Sequence, residues 1–145
     1  LAADRMVIGV VDDGYWLDLG TPLAFAKGSA DLVRGIAPSP LLVGRTGEAL
    51  IEPTAKVDSS ASITGGTYIG HNAVVGAGAV ITGSVIFADV EVGSGSQITN
   101  SIVSTAAKIS SDCQIVDTVI AERAQINAGA TLEPGTLVFP DETVN

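Results

Sequence analysis

The sequence predicts a mainly β chain wound as a triangular parallel coil, with a short strand-strand-helix segment in front of it. Three observations lead there. Aliphatic residues fall at every sixth position at Ile51, Val57, Ile63, Ile69, Val75 and Ile81, a period that neither an α-helix nor an ordinary amphipathic strand produces. A longer period runs over it: Gly66-Thr67-Tyr68-Ile69, Gly83-Ser84-Val85-Ile86, Asn100-Ser101-Ile102-Val103 and Asp117-Thr118-Val119-Ile120 recur at intervals of 17 residues. Aromatic residues are only 4% of the chain although hydrophobic residues are 46%, so a core of small and β-branched side chains has to suffice.

Each coil therefore has three sides, two reached by six-residue steps and one by a five-residue step, as between Ile98 and Val103. The aliphatic residue of each side points into a narrow bore and stacks on its counterparts in neighbouring coils. Small residues four positions later, among them Ala55, Ala61, Thr67, Ala73 and Ala79, fit where the wall turns, and glycine relieves corners. About five coils at roughly 4.8 Å each give a prism on the order of 24 Å tall.

In front of the repeat, Met6–Val11 and Gly14–Gly20 read as two short strands separated by the turn-forming Asp12-Asp13-Gly14. Thr21-Pro22 then supplies an N-cap and a proline at the first helical position, and Leu23, Ala26, Ala30 and Val33 recur at helical spacing toward Gly35. Pro38 and Pro40 mark a junction. The expected organisation is an N-terminal segment over 1–36, a linker over 37–42 and the repeat domain over 43–145. So short a leading segment cannot bury a core of its own and must dock on something.

Composition narrows the function. Seven Lys+Arg against 16 Asp+Glu give a net charge of −9, which leaves no basic surface for a nucleic acid or an anionic membrane. No run approaches the roughly 18 apolar residues of a membrane span, and Asp4 and Arg5 interrupt any signal-peptide core. The single cysteine, Cys113, permits no internal disulfide and fits a reducing compartment, so a cytoplasmic location is expected. The first residue is Leu1, and the chain is expected to be part of a longer product.

The hexapeptide run over about 41–140 resembles the left-handed parallel β-helix shared by hexapeptide acyltransferases and by the C-terminal domains of sugar nucleotidyltransferases. That likeness speaks for fold more than for function. Gly14-Tyr15-Trp16-Leu17-Asp18-Leu19-Gly20-Thr21-Pro22 resembles the closing strand and helix of the nucleotidyltransferase catalytic domain, as found in the bacterial mannose-1-phosphate guanylyltransferase family. Ser29–Gly35 followed by Pro38-Ser39-Pro40 adds to the likeness. The resemblance implies that residues 1–36 are the end of an α/β catalytic domain. The parent enzyme then makes an NDP-sugar, GDP-mannose in this family, from a sugar 1-phosphate and a nucleoside triphosphate, releasing pyrophosphate. It implies Mg²⁺ as cofactor, with Asp18 at the matching metal-binding position; hard carboxylate oxygens suit that ion.

The glycine-rich triphosphate loop, its arginine, the first metal-binding aspartate and the sugar-phosphate lysine of the family have no counterpart here, so no catalytic residue is assigned and this chain alone is expected to be inactive. Substrates bind the absent domain, and the β-helix is an assembly and regulatory unit whose partners are its own catalytic domain and other subunits of a homo-oligomer. Two alternatives remain: an acyltransferase using acyl-CoA with His71, the only histidine, as base, and a non-catalytic scaffold. His71 reads more simply as a solvated surface residue, Cys113 as a buried structural thiol, Tyr15 and Trp16 as packing anchors, and Asp12 and Asp13 as turn residues.

Overall fold

The structure, a computed structural model, describes residues 9–145. Among the described residues, 17 strands of two or three residues, β1 to β17, form three parallel sheets that are the walls of a triangular prism. The first wall contains β1 (Ala49–Ile51), β4 (Thr67–Ile69), β7 (Val85–Ile86), β10 (Ile102–Val103), β13 (Val119–Ile120) and β16 (Leu137–Val138). The second contains β2 (Lys56–Val57), β5 (Val74–Val75), β8 (Glu91–Val92), β11 (Lys108–Ile109), β14 (Gln125–Ile126) and β17 (Thr143–Val144). The third contains β3 (Ser62–Thr64), β6 (Val80–Thr82), β9 (Gln97–Thr99), β12 (Gln114–Val116) and β15 (Thr131–Leu132).

The parallel β-helix expected from the repeat is thus present. It makes five full coils and two sides of a sixth, because β17 extends the repeat beyond Val138. The strand register steps by 18 residues at both ends, as in Ala49 opposite Thr67 and Gln125 opposite Thr143, and by 17 in the middle. The stacked aliphatics fill the bore: Ile69, Ile86, Val103 and Ile120 from the first wall and Ile81, Ile98 and Ile115 from the third are fully buried. Burying each such side chain stabilises the fold by about 1.5–3 kcal/mol.

The tight corner between the third and first walls is closed by a ladder of buried hydroxyls. Thr67 Oγ1 donates to the Thr64 carbonyl at 2.7 Å and accepts the Ser84 N–H at 3.2 Å. Ser84 Oγ donates to the Thr82 carbonyl at 2.9 Å and accepts the Ser101 N–H at 3.0 Å. Ser101 repeats this with the Thr99 carbonyl and the Thr118 N–H, at 2.8 and 3.0 Å. Each hydroxyl therefore takes up an N–H of the next coil that has no backbone partner, and anchors itself by donating to a carbonyl of its own coil that also accepts a backbone N–H. Ser101→Ala orphans the Thr118 N–H in a buried place, while the Thr99 carbonyl keeps the Asp117 N–H, and is expected to cost about 2 kcal/mol, read by urea denaturation, whereas Ser104→Ala three residues on is expected to change little.

Left-handed backbone recurs at all three corners, and glycine is only part of the means. Asn72, Asp89, Ala106, Arg123 and Asp141 form one positive-φ column, Gly78, Gly95, Asp112 and Gly129 a second, and Gly66, Gly83, Asn100, Asp117 and Gly135 a third. Asn and Asp tolerate this region; Ala106, at φ 58°, does so at a cost of about 1 kcal/mol. Ala106→Gly is accordingly expected to raise stability by about 0.5–1 kcal/mol, seen as a higher Tm.

The helix α1 spans Pro22–Arg34 with Thr21 as N-cap and Gly35 as left-handed C-cap, as the sequence predicts. It lies against β4 and β1, so the leading segment docks on the β-helix. Contact is close at Gly66, where an added Cβ would lie 2.5 Å from the Ala30 carbonyl oxygen. The two expected strands are not formed: the described part, residues 9–20, has no strand, and Met6–Ile8 lie outside the described residues. The physical reason is that strands need a neighbour to take their backbone hydrogen bonds, and residues 10–19 meet no sheet edge among the described residues. A short 3₁₀ turn, Pro40–Leu42, leads into the first coil.

Candidate functional site

The expected metal-binding residue, Asp18, sits on the extended arm that precedes α1. The arm alternates. Tyr15, Leu17 and Leu19 turn toward the helix: Tyr15 Oη donates to Asp31 Oδ2 at 2.9 Å, and Leu17 and Leu19 lie over Gly28, where an added Cβ would come within 2.7 Å of Leu19 Cδ2. Trp16 and Asp18 take the opposite, solvent face. Tyr15 is thus an anchor as expected, but Trp16 is not. It is 82% exposed, because the alternation that seats Tyr15 turns its neighbour outward.

Asp18 is exposed, and its Oδ1 accepts the Gly20 N–H at 2.9 Å in a local turn that ends the arm just before the Thr21 cap. This bond fixes the carboxylate and leaves Oδ2 without a hydrogen bond among the described residues. One oriented carboxylate suits Mg²⁺, which binds through one or two carboxylates together with phosphates and water. Among the described residues no group of three or more metal-ligating side chains gathers at this or any other place. Asp12 accepts the Gly14 N–H at 2.8 Å, in keeping with a turn role.

The arm is held down chiefly through Asp31, a buried carboxylate of α1. The hydrogen-bonded Lys27 ammonium beside it, aided by the Tyr15 hydroxyl, holds its pKa below the ordinary carboxylate value against the opposing effect of burial. A depressed folded pKa stabilises the arm fully above the unfolded value of about 3.9 and loses that contribution as pH falls through the folded one. The fluorescence anisotropy of Trp16, the only tryptophan, is expected to stay constant down to about pH 4 and to drop below it. In Asp31→Ala it should be low at every pH.

His71 is a surface residue of the corner after β4. Its Nδ1 lies 3.3 Å from Thr54 Oγ1 and its Nε2 4.0 Å from Glu52 Oε2, with Arg45 Nη2 3.7 Å from the same carboxylate oxygen. The ring is open to solvent, and its partners are those of a satisfied surface histidine. Cys113 is fully buried in the bore, aligned with Ser96 and Ala130, and its Sγ lies 3.2 Å from the Asn127 carbonyl oxygen. A thiol so enclosed serves packing.

The sequence repeat alone does not show the character of the first wall's outer side. The residue before each inward aliphatic of the first wall faces outward, and all six are apolar: Leu50, Tyr68, Val85, Ile102, Val119 and Leu137. The signal for it lies in the doubled aliphatics Val85-Ile86, Ile102-Val103, Val119-Ile120 and Leu137-Val138.

Comparison with known proteins assigns the β-helix. The profile of the GMPPB C-terminal domain family matches residues 45–145. The chain belongs to that family. The mannose-1-phosphate guanylyltransferase of Mycobacterium tuberculosis (strain ATCC 25618 / H37Rv) is 51% identical over 87 residues, which are 60% of this chain and 24% of that protein. The matched stretch is therefore about a quarter of the relative's length. A hexapeptide transferase family protein from Anaplasma phagocytophilum superposes with a TM-score of 0.54 at 20% identity, covering 66% of this chain and 72% of that one. At that identity the likeness is one of fold alone. The β-helix is thus a GMPPB-type C-terminal domain, similar over 87 residues to part of a mannose-1-phosphate guanylyltransferase. No helix among the described residues is long and apolar enough to cross a membrane.

Proposed function

We propose that this chain is the assembly and regulatory part of an enzyme that makes a nucleotide sugar. In the intact protein a phosphate oxygen of a sugar 1-phosphate, mannose 1-phosphate in the reading favoured here, attacks the α-phosphorus of GTP. The bond to the β-phosphate breaks, and pyrophosphate leaves. The observation that carries this reading is the 51% identity to a mannose-1-phosphate guanylyltransferase, together with the family match over residues 45–145.

Asp18 is the residue of this chain proposed to touch the chemistry. A Mg²⁺ ion in the intact enzyme would offset the charge between two phosphates that must approach. Asp18 Oδ2 would be one ligand for it, oriented by the Gly20 bond to Oδ1. The nucleotide, the sugar phosphate and the remaining ligands belong to the preceding domain, which residues 1–36 complete, with 37–42 as linker and 43–145 as the β-helix. The 145-residue chain by itself is inactive, and the enzyme works in the cytoplasm as a homo-oligomer. The acyltransferase alternative has no support beyond fold, and His71 stands on an open surface.

The test is to give the intact protein Mg²⁺ with each pairing of GTP or ATP and mannose or glucose 1-phosphate, and to follow pyrophosphate. Release fastest with GTP and mannose 1-phosphate is expected. Release with none of the four pairings would overturn the reading, as would acetyl transfer from acetyl-CoA.

A further inference from the structure

We propose that Asp31 is the positioning residue of the candidate metal site: through its bond to Tyr15 it sets the register of the arm on α1 and so keeps the Asp18 carboxylate on the outer face. The inference rests on the reading of Asp18 given above and adds the group that holds it in place. Among the described residues, no main-chain hydrogen bond joins residues 9–20 to another element. The side chains supply one, from Tyr15 Oη to Asp31 Oδ2 at 2.9 Å. Leu17 and Leu19 add apolar contact over Gly28.

Apolar contact is non-directional and fixes no register. An extended segment that slips by one residue turns every side chain to the opposite face, which would carry Asp18 against the helix and Leu17 and Leu19 into solvent. A hydrogen bond to a charged and immobile acceptor is short and directional, and it forbids the slip. Asp31 is such an acceptor. It is 6% exposed, and Lys27 Nζ and Tyr15 Oη both reach its Oδ2. A buried ion pair adds little to stability beyond what apolar side chains of the same size would give. What this one adds is direction.

Asp31 is itself held to the β-helix. Its main-chain carbonyl accepts the Ile36 N–H at 2.8 Å and the Ala37 N–H at 3.0 Å, where α1 ends and the linker begins. The preceding residue, Ala30, is seated on Gly66 at the close contact described above. The arm therefore takes its position from the prism, by way of α1. On the other side of Asp18, the Gly20 N–H bond and the Thr21 cap tie the arm to the start of the helix. Asp18 lies between these two fixed points, three extended residues, or about 10 Å, from Tyr15. A carboxylate held at both ends gives up little freedom on meeting a cation. One on a free arm must be ordered first, and that loss appears in the affinity for the metal.

The experiment uses Tyr15→Phe, Asp31→Ala and Asp31→Asn, the last of which keeps an acceptor for the Tyr15 hydroxyl. In the 145-residue chain without metal, the fluorescence anisotropy of Trp16 near neutral pH should fall in Tyr15→Phe and Asp31→Ala and stay near the parent value in Asp31→Asn. In the intact protein, the first two should raise the Mg²⁺ concentration for half-maximal pyrophosphate release by about tenfold or more, while the rate at saturating Mg²⁺ stays within about threefold of the parent. Asp31→Asn should bring the Mg²⁺ requirement back toward the parent. Ser101→Ala, which weakens the β-helix without touching the arm, should lower the melting temperature and leave that requirement where it is. An anisotropy unchanged in both Tyr15→Phe and Asp31→Ala overturns the inference. So does a Mg²⁺ requirement that neither variant moves, or a rate lowered equally at every Mg²⁺ concentration, which marks a merely structural role. Asp18→Asn keeps two failures apart. If it raises the Mg²⁺ requirement and Asp31→Ala does not, positioning alone is wrong; if neither moves it, the assignment of Asp18 falls as well.

Discussion

Gly93→Val is expected to destabilise the β-helix by about 3 kcal/mol or more and to lower its melting temperature by on the order of 10 °C. Gly93 follows β8 at the corner leading to the third wall. A Cβ there would lie 2.5 Å from the Ser110 carbonyl carbon and 2.5 Å from the Ser111 nitrogen, both backbone atoms of the next coil. A side-chain neighbour could swing away. Backbone cannot move unless two coils separate, and separation opens the bore where Val92 and Ile109 stack. The loss therefore propagates to core contacts and hydrogen bonds on either side, as the nearest-neighbour energetics of a solenoid require. Gly47 is the contrasting control. It has open space around it and no positive φ, so Gly47→Ala is expected to be neutral or slightly stabilising. A Gly93→Val protein melting within 1 °C of the parent would show that the coils are less closely stacked than described.

The second large effect concerns chemistry. In the intact protein, Asp18→Asn is expected to reduce turnover by at least about a hundredfold and to raise the Mg²⁺ concentration needed for half-maximal rate. The amide keeps an acceptor for the Gly20 N–H, so the turn survives, while the charge offered to a cation is lost. Asp12→Asn, a change in an equivalent local turn, serves as the matched control and should leave both quantities unchanged. Full activity of Asp18→Asn at limiting Mg²⁺ would remove Asp18 from the metal site.

The repeat was legible because a solenoid writes its geometry into the sequence at fixed intervals. The six-residue aliphatic steps became bore residues at Ile69, Val75 and Ile81, and Cys113 fell in the small-residue position assigned to it. The helix was equally plain, since Thr21, Pro22 and Gly35 are local signals that act through local bonds. Other features depended on partners. Residues 14–20 carry strand-like sequence, yet a strand exists only where another strand receives its hydrogen bonds, and the described residues supply none. Trp16 looked like an anchor by composition, while its orientation was decided by Tyr15 reaching Asp31 across the arm.

The hydroxyl ladder at Thr67, Ser84, Ser101 and Thr118 was visible only as a column of small residues. Its role follows from bonds between successive coils, which no single repeat reveals. The candidate site was legible to the extent of one carboxylate. Asp18 is oriented by its own neighbours, but a metal site is a property of groups brought together from distant parts of a chain.

The measurement that tests the account most directly compares pyrophosphate release from GTP and mannose 1-phosphate, in Mg²⁺, by the intact protein and by this 145-residue chain at equal concentration. The account predicts turnover by the intact protein and none by the chain. Turnover by the chain alone would contradict it, because the described residues would then have to hold a complete nucleotidyltransferase site; so would an intact protein that releases no pyrophosphate.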